Sequence, residues 1–155
     1  MRALLLSGVA ALFLPVVLVA DDTVPLDKVP AKVTDAVKAK FPNAKMLSCK
    51  KDKADGVDVF EVAVDTGSGK FNVLVTPEGR VARIEKEVPL TALPKAVTDT
   101  LDSKYAKATR KSALELSKGD KVYAYEVTLV TPDKKTWEVT VDLKGKITDV
   151  EEVKD

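Results

Sequence analysis

Val24–Phe41, VPLDKVPAKVTDAVKAKF, is followed 64 residues later by a second version of itself, Val88–Tyr105, VPLTALPKAVTDTLDSKY. The two copies share prolines, a Val-Thr-Asp triplet and a closing aromatic residue at matching positions. A fixed internal period of this kind indicates a chain built from similar structural units. We therefore expect two repeats, the first spanning residues 24–87 and the second residues 88–153.

Both copies of this segment have the pattern of an amphipathic helix. Pro30 and Pro94 suit the first helical turn, where a missing backbone N–H leaves no hydrogen bond unmade. After each proline, apolar residues recur at every fourth position and form one stripe. The stripe residues are Val33, Val37 and Phe41 in the first copy, and Val97, Leu101 and Tyr105 in the second. Pro42 ends the first helix, because the residue before a proline disfavours the α conformation.

After each helix the apolar period shortens to two residues, which is typical of β-strands. Residues 57–65, VDVFEVAVD, alternate in this way. A turn containing two glycines follows and leads to a second alternating run, residues 71–75, as expected for a β-hairpin. The second copy repeats the hairpin at residues 123–129 and 137–141.

Two less regular strands complete each unit. One is expected before the hairpin, at residues 45–51 and 111–117, although its alternation is poor. In the last strand the apolar residues are three apart, at Val81/Ile84 and Ile147/Val150. Such spacing predicts either a β-bulge or a twisted edge strand. We therefore predict an α+β fold in which each repeat packs one helix on a four-stranded antiparallel sheet.

The two faces of the predicted sheets differ in character. The face with aromatic and β-branched residues should meet the helix stripe, and the opposite face should be open and polar. We predict that binding residues lie on the open face: Glu61, Ala63, Asn72, Leu74, Glu126, Thr128, Glu138 and Thr140. Leu74 is expected to be the one large apolar residue there.

The carboxylates of this open face allow two interpretations. Glu61, Glu126 and Glu138 could bind a cation, since calcium takes oxygen ligands of this kind. Alternatively, they belong to a solvated face on which acidic and lysine side chains pair across strands. No short loop gathers Asp and Asn at ligand spacing, which favours the second interpretation and predicts no metal site.

Residues 1–20 have the pattern of a secretory signal peptide. Arg2 precedes the uncharged run Ala3–Val19, and cleavage is expected after Ala20. The alternative is an uncleaved membrane anchor, since such a run is at the lower limit for spanning a bilayer. We expect a periplasmic or secreted protein. Its mature part carries equal numbers of basic and acidic residues, so neither nucleic acid nor a membrane is an expected partner.

The residues that most catalytic sites need are missing from the chain. It has no histidine and one cysteine, Cys49, which excludes an internal disulfide, thiolate- and imidazole-based metal sites and a Ser-His or Cys-His nucleophile. No phosphate- or dinucleotide-binding motif is present. We therefore expect no enzyme activity and no cofactor. Cys49 is either a small apolar strand residue or a thiol that pairs between molecules.

With its repeat, the pattern resembles the PepSY-like family of secreted bacterial proteins, also described as β-lactamase-inhibitor-like. The motifs that carry the resemblance are Pro30 and Pro94 at the helix starts, Phe60-Glu61-Val62 with Phe71 and Val73, Tyr125-Glu126-Val127 with Trp137 and Val139, and the turn residues Gly79 and Gly145. The resemblance implies a tandem α+β fold whose two sheets are continuous and concave. It also implies a non-enzymatic binding or inhibitory role.

Two functional hypotheses follow. The first is a secreted or periplasmic module that binds a protein or a peptide in the cell envelope through the open sheet face or the connecting loops. The second is an envelope structural protein, or a small-ligand or cation-binding protein, that uses the acidic side chains of the same face. The sequence names no partner for either hypothesis.

Overall fold

The computed structural model describes residues 22–153, so the predicted signal peptide lies outside the described residues. Two short helices, α1 (Ala31–Lys40) and α2 (Lys95–Lys104), each follow a single 3-10 turn. The strands are β1 (Lys45–Ala54), β2 (Val57–Asp65), β3 (Lys70–Val75), β4 (Val81–Val88), β5 (Thr109–Lys118), β6 (Lys121–Val130), β7 (Thr136–Asp142) and β8 (Ile147–Val153). The order is therefore one helix and four strands, followed by the same series again.

All eight strands belong to one antiparallel sheet in which they lie side by side in chain order. The two irregular strands expected before the hairpins are present as β1 and β5, and each is longer than predicted. The halves of the sheet are joined where β4 pairs with β5, from Ile84↔Ser117 to Val88↔Ala113. The predicted α+β class is confirmed, with a single continuous sheet.

The helix stripes form the core, as their spacing predicts. Val33 and Val37 of α1 are fully buried against the valines of β2 and β3, and Val97 and Leu101 of α2 are fully buried against β6 and β7. Burial of a Val or Leu side chain contributes about 1.5–3 kcal/mol. Cys49 belongs to the first of these cores and is 2% exposed, which agrees with its interpretation as a small apolar residue.

Bulges interrupt the pairing of the sheet at several places. Of the two alternatives for the last strand of each half, the structure has the bulge, because the register shifts where Leu74 and Val75 face β4 and where Thr140 and Val141 face β8. Further shifts occur in β1, between Met46 and Ser48, and at two places in β5. Each bulge bends its strand and increases the local twist. The sheet is consequently curled, and its face opposite the helices is concave.

Candidate binding surface

The sheet face opposite the helices encloses a cavity of about 890 Å³, which we call the central cavity. We call this side of the sheet the concave face. The side chains of the concave face that line the cavity include Lys50 on β1, Glu61 on β2, Asn72 on β3, Arg83 and Glu85 on β4, Leu114 on β5, Glu126 on β6, Glu138 on β7, and Asp149 and Glu151 on β8. All eight strands therefore contribute to one hollow.

The curl of the sheet brings its two edges toward each other. The charges of Lys50 and Asp52 on β1 both act on the pKa of Glu138 on β7, which places these groups across the cavity from one another. Hydrogen-bonded neighbouring strands lie only about 5 Å apart. Strands six positions apart in a flat sheet would be too distant for such an interaction, so the curvature creates the site.

Most of the side chains predicted for the open face lie on the concave face. Glu61, Asn72, Glu126 and Glu138 line the central cavity. The others lie beside it: Ala63 lines a smaller hollow next to Asn72, Thr140 lines another next to Arg83, and the Thr128 hydroxyl lies 3.0 Å from that of Ser112. That these residues contact a partner stays a prediction.

The prediction for Leu74 is wrong. Leu74 shares the concave face, but its side chain is 0% exposed because Ala54, Val59 and Ala82 pack over it. It therefore offers no surface to a partner and instead forms a small second core on this side of the sheet. Leu74 is also not the one large apolar residue of the face, since Leu114 lines the central cavity.

Several residues of the cavity were not predicted. Arg83 and Glu85 face inward because the bulge between β3 and β4 pairs Leu74 with Arg83 but Val75 with Val81. The three-residue spacing of Val81 and Ile84 was the sequence signal for this shift. It indicates a bulge, but the side chains that turn inward follow only from the paired register.

Acidic residues are concentrated in the central cavity. Nine carboxylates but only three basic side chains line it, whereas the whole chain has 24 acidic and 25 basic residues. The near balance of the composition therefore hides a strong local asymmetry. A concave surface lined by one sign of charge focuses the electric field and attracts groups of the opposite sign.

Arg83 and Glu85 form the buried ionic floor of the cavity. The Arg83 guanidinium donates to Glu85 Oε1 at 2.7 Å, and the two side chains are 17% and 6% exposed. Asn72 Nδ2 donates to the other oxygen of Glu85 at 3.4 Å. A buried carboxylate is costly unless it is paired and hydrogen-bonded, and these two donors meet that need. Arg83 Nε has no hydrogen-bond partner among the described residues.

The carboxylates around this floor resist ionisation. Burial raises the pKa of Glu61 from 4.5 to about 7, although Lys50 Nζ lies 3.0 Å from its Oε2 and partly opposes the shift. Burial also raises the pKa of Glu126 to about 7, with the charges of Glu138 and Glu85 adding to the effect. Near neutral pH the cavity thus holds protons that a cation could displace.

The arrangement does not contain a recognisable metal centre. Among residues 22–153, no group of three or more Asp, Glu, Cys or His side chains is placed to hold a metal ion. The carboxylates are spread over the walls and floor of the cavity instead of converging on a point. A large ligand with several contacts suits such a surface better than a single ion does.

Two family models match the chain, one in each half. The model described as "Putative beta-lactamase-inhibitor-like, PepSY-like" matches residues 18–83. The model of the PepSY family, described as "Peptidase propeptide and YPEB domain", matches residues 92–151. Each half of the chain is thus similar to a PepSY-type family. The resemblance stated from the sequence motifs is thereby confirmed.

Solved structures of three Bacteroides proteins share the fold of this PepSY-like chain. A DUF2874 family protein from Bacteroides uniformis has a TM-score of 0.63 at 12% identity and covers 80% of this chain and 89% of its own. A protein from Bacteroides eggerthii, described as a putative periplasmic protein, has a TM-score of 0.63 at 12% identity. The match covers 81% of this chain and 89% of that protein. A BLIP-like protein from Bacteroides fragilis has a TM-score of 0.55 at 19% identity. The match covers 80% of this chain and 86% of that protein. At such identities the likeness concerns the fold alone.

Two further findings bear on this PepSY-like chain. No curated protein matches its sequence. Within the part of the chain that the structure describes, neither α1 nor α2 is long and apolar enough to cross a membrane.

Proposed function

We propose that this PepSY-like chain is a non-enzymatic module that binds a protein or a peptide in the periplasm, and that the concave face is its binding surface. The observation that carries the proposal is the central cavity of about 890 Å³, to which all eight strands contribute. The helices cover the opposite face, so the concave face is the side of the sheet left to solvent. Binding sites in proteins are preferentially concave.

The size of the cavity supports a macromolecular ligand. Its walls extend from β1 to β8, and its polar groups are distributed instead of convergent. An extended peptide or a protein loop can make several separate contacts on a surface of this kind. The descriptions of similar proteins support the same function, since one matching family is called β-lactamase-inhibitor-like and one similar structure BLIP-like.

The chemistry of the chain supports a role without catalysis. Histidine is absent from the whole sequence, and the single cysteine is buried in the core beneath α1. A serine or threonine hydroxyl needs an adjacent base to act as a nucleophile. The carboxylates of the concave face are paired with Lys50 and Arg83 or grouped with one another, which suits recognition of charge.

The proposed location rests on two independent features. The first 20 residues have the composition of a secretory signal peptide with cleavage after Ala20. In addition, a structurally similar protein from Bacteroides eggerthii is described as periplasmic. The partner is accordingly sought among envelope proteins.

The alternative is an envelope structural protein, or a small-ligand or cation-binding protein, that uses the acidic side chains of the concave face. The described residues offer no carboxylate group arranged for a metal ion. Calcium is still a necessary probe in the experiments below, because several acidic side chains face one hollow.

Site-specific photocrosslinking tests the proposed surface. In one variant a photoreactive phenylalanine analogue replaces Thr140 on the concave face. In the matched control it replaces the exposed Ala39 on α1. Each full-length variant is made in the source bacterium. We expect a discrete crosslinked protein from position 140 and none from position 39. Crosslinks from position 39 alone, from both positions alike, or from neither would contradict the concave face as the binding surface.

A further inference from the structure

We propose, on the basis of the binding function above, that the partner presents a basic segment, with lysine or arginine side chains that enter the central cavity between its two walls. The charge of the concave face and the unequal pairing of its carboxylates support this choice of partner. The inference concerns the chemistry of the partner, whereas the proposed function concerns only the surface that it occupies.

The first step is the charge balance of the site. Three basic side chains line the cavity, and two more, Lys118 and Lys135, pair with Asp55 and Glu152 of its lining. These five offset only part of the nine carboxylates, although the whole chain has a net charge of +1. An acidic partner, or a second copy docking through the same face, would bring like charges together in a partly buried space. Like charges brought together at an interface oppose binding. A basic segment supplies the charge that the cavity lacks.

The second step is the contrast between the two walls. On the wall formed by β1 and β2, Lys50 already supplies an ammonium group, 3.0 Å from Glu61 and 3.6 Å from Asp52. On the opposite wall, Glu126 and Glu138 have no basic side chain within 4 Å among the described residues. Lys50 thus shows how one wall accepts an ammonium group, whereas Glu126 and Glu138 have none at that distance. The ammonium group of Lys135 on this side lies 2.9 Å from Glu152 instead.

The third step concerns the groups that surround Glu126. Burial, and then the charges of Glu138 on β7, Glu85 on β4 and Asp149 on β8, oppose its ionisation. The Arg83 guanidinium on β4 favours it. A lysine or arginine side chain placed between Glu126 and Glu138 would reverse this balance, because an opposite charge favours the ionised form.

Glu138 and Glu61 have comparable surroundings. Burial first and then the charge of Glu151 on β8 raise the pKa of Glu138, with Glu85 and Asp52 adding to the effect and Lys50 opposing it. Glu61 faces Lys50 and Asp52 on β1 and Glu85 on β4. Binding of a basic segment would therefore expel protons from these carboxylates, and its affinity should rise with pH through about 7.

Calorimetry with a blocked peptide of alternating lysine and glycine tests the inference on the mature chain, residues 21–155. Matched peptides carry glutamate or serine in place of lysine. At about pH 8 and low salt we expect the lysine peptide to bind at least about tenfold more tightly than either control. Equal binding of the serine peptide, or tighter binding of the glutamate peptide, would overturn the inference.

A pair of double variants locates the binding. Glu126→Gln/Glu138→Gln should weaken binding of the lysine peptide about tenfold. The control, Asp27→Asn/Asp35→Asn, removes the same charge from the helix side and should change the affinity for the peptide less than about twofold. Equal losses in both variants would indicate general attraction to the protein and would contradict the cavity. Thermal melting shows whether each variant is folded. If Glu126→Gln/Glu138→Gln is not folded, Glu61→Gln replaces it in the comparison.

Proton release provides a readout that does not depend on variants. Binding heats measured near pH 7 in buffers of different ionisation enthalpy should show a release on the order of one proton per peptide, and the affinity should rise about fivefold or more from pH 6 to pH 8. No release and no pH dependence would contradict insertion between the carboxylates. Tight binding of Ca²⁺ that displaces the peptide would favour a cation site instead.

The two proposals can fail separately. Crosslinking from position 140 without any preference for the lysine peptide would retain the concave face as the binding surface and reject a basic partner. Failure of crosslinking from position 140 would reject the surface itself, and the peptide result would then concern only the charge of the cavity.

Discussion

The backbone carbonyl oxygen of Lys32 lies 2.8 Å from the point that a Cβ atom on Gly79 would occupy. Gly79 ends the turn between β3 and β4, and its φ of +89° is one that residues with a side chain rarely adopt. The second half repeats the contact, since a Cβ on Gly145 would lie 2.8 Å from the carbonyl oxygen of Ala96. Each hairpin turn therefore supports the first turn of its helix through a glycine.

Substitution of Gly79 by alanine should accordingly destabilise the folded protein. We expect Gly79→Ala to lower the free energy of unfolding by about 2–4 kcal/mol, because the methyl group meets rigid helix backbone in addition to the strained φ. Chemical denaturation measures the change. Gly67→Ala is the matched control, since Gly67 has a similar φ of +78° but nothing within 4 Å of its Cβ position. An equal loss in both variants would mean that the helix contact contributes nothing.

Leu74→Ala should behave as a core substitution. We expect a loss of about 2–5 kcal/mol in the free energy of unfolding, as for other fully buried leucines. The control, Leu47→Ala, removes a side chain that is 42% exposed and should change stability by less than about 0.5 kcal/mol. A small effect at Leu74 would show that its side chain is accessible and would restore it as a candidate contact residue.

The protonation of Glu126 predicts how stability varies with pH. Its pKa is about 7 in the folded protein and about 4.5 when unfolded, so the folded state binds more protons between these values. The contribution of Glu126 to stability therefore falls as the pH rises from about 4.5 to 7. Glu126→Gln should stabilise the protein by about 1–3 kcal/mol at pH 8 and leave it nearly unchanged at pH 4.

Denaturation at both pH values checks this prediction. Glu78→Gln is a suitable control, because hydrogen bonds to Thr76 and to its own backbone lower the pKa of the exposed Glu78. Its removal should not stabilise the protein at high pH. A gain from Glu126→Gln that is as large at pH 4 as at pH 8 would mean that proton binding is not the cause.

Lys50 should control the ionisation of Glu61. Its ammonium group lies 3.0 Å from Glu61 Oε2 and favours the charged carboxylate against the effect of burial. We expect Lys50→Gln to raise the pKa of Glu61 further above its value of about 7. A carbon-detected NMR titration of the Glu61 carboxyl measures this pKa. The control, Lys53→Gln on the same strand, should leave the pKa of Glu61 unchanged. An unaltered titration in Lys50→Gln would exclude this ion pair in solution.

Local periodicity predicted the helices and the strands because it depends on residues close in sequence. The four-residue spacing from Val33 to Phe41 identified the buried helix face, and the alternation through Phe60 and Val62 identified the strand face that meets it. The same alternation assigned Glu61 and Asn72 to the opposite face, where the structure has them. Side-chain direction in a strand has a period of two and needs no knowledge of distant residues.

Distant pairing decided the rest of the candidate site. Bulges shifted the register so that Arg83 and Glu85 turn inward, and the same pairing leaves Leu74 covered by the neighbouring β1, β2 and β4. Neither result follows from alternation within one strand, because each depends on the residue opposite on another strand.

The sequence by itself determined the two helix-and-strand series, their apolar faces and the absence of histidine chemistry, since these depend on composition and on near neighbours. Only the tertiary structure decided that the sheet curls, that β1 faces β7 across a cavity, and that an almost neutral chain gathers nine carboxylates there. The reason is physical. Curvature accumulates from bulges and twist over eight paired strands, and the pKa of a carboxyl depends on the burial and charges that this curvature brings to it.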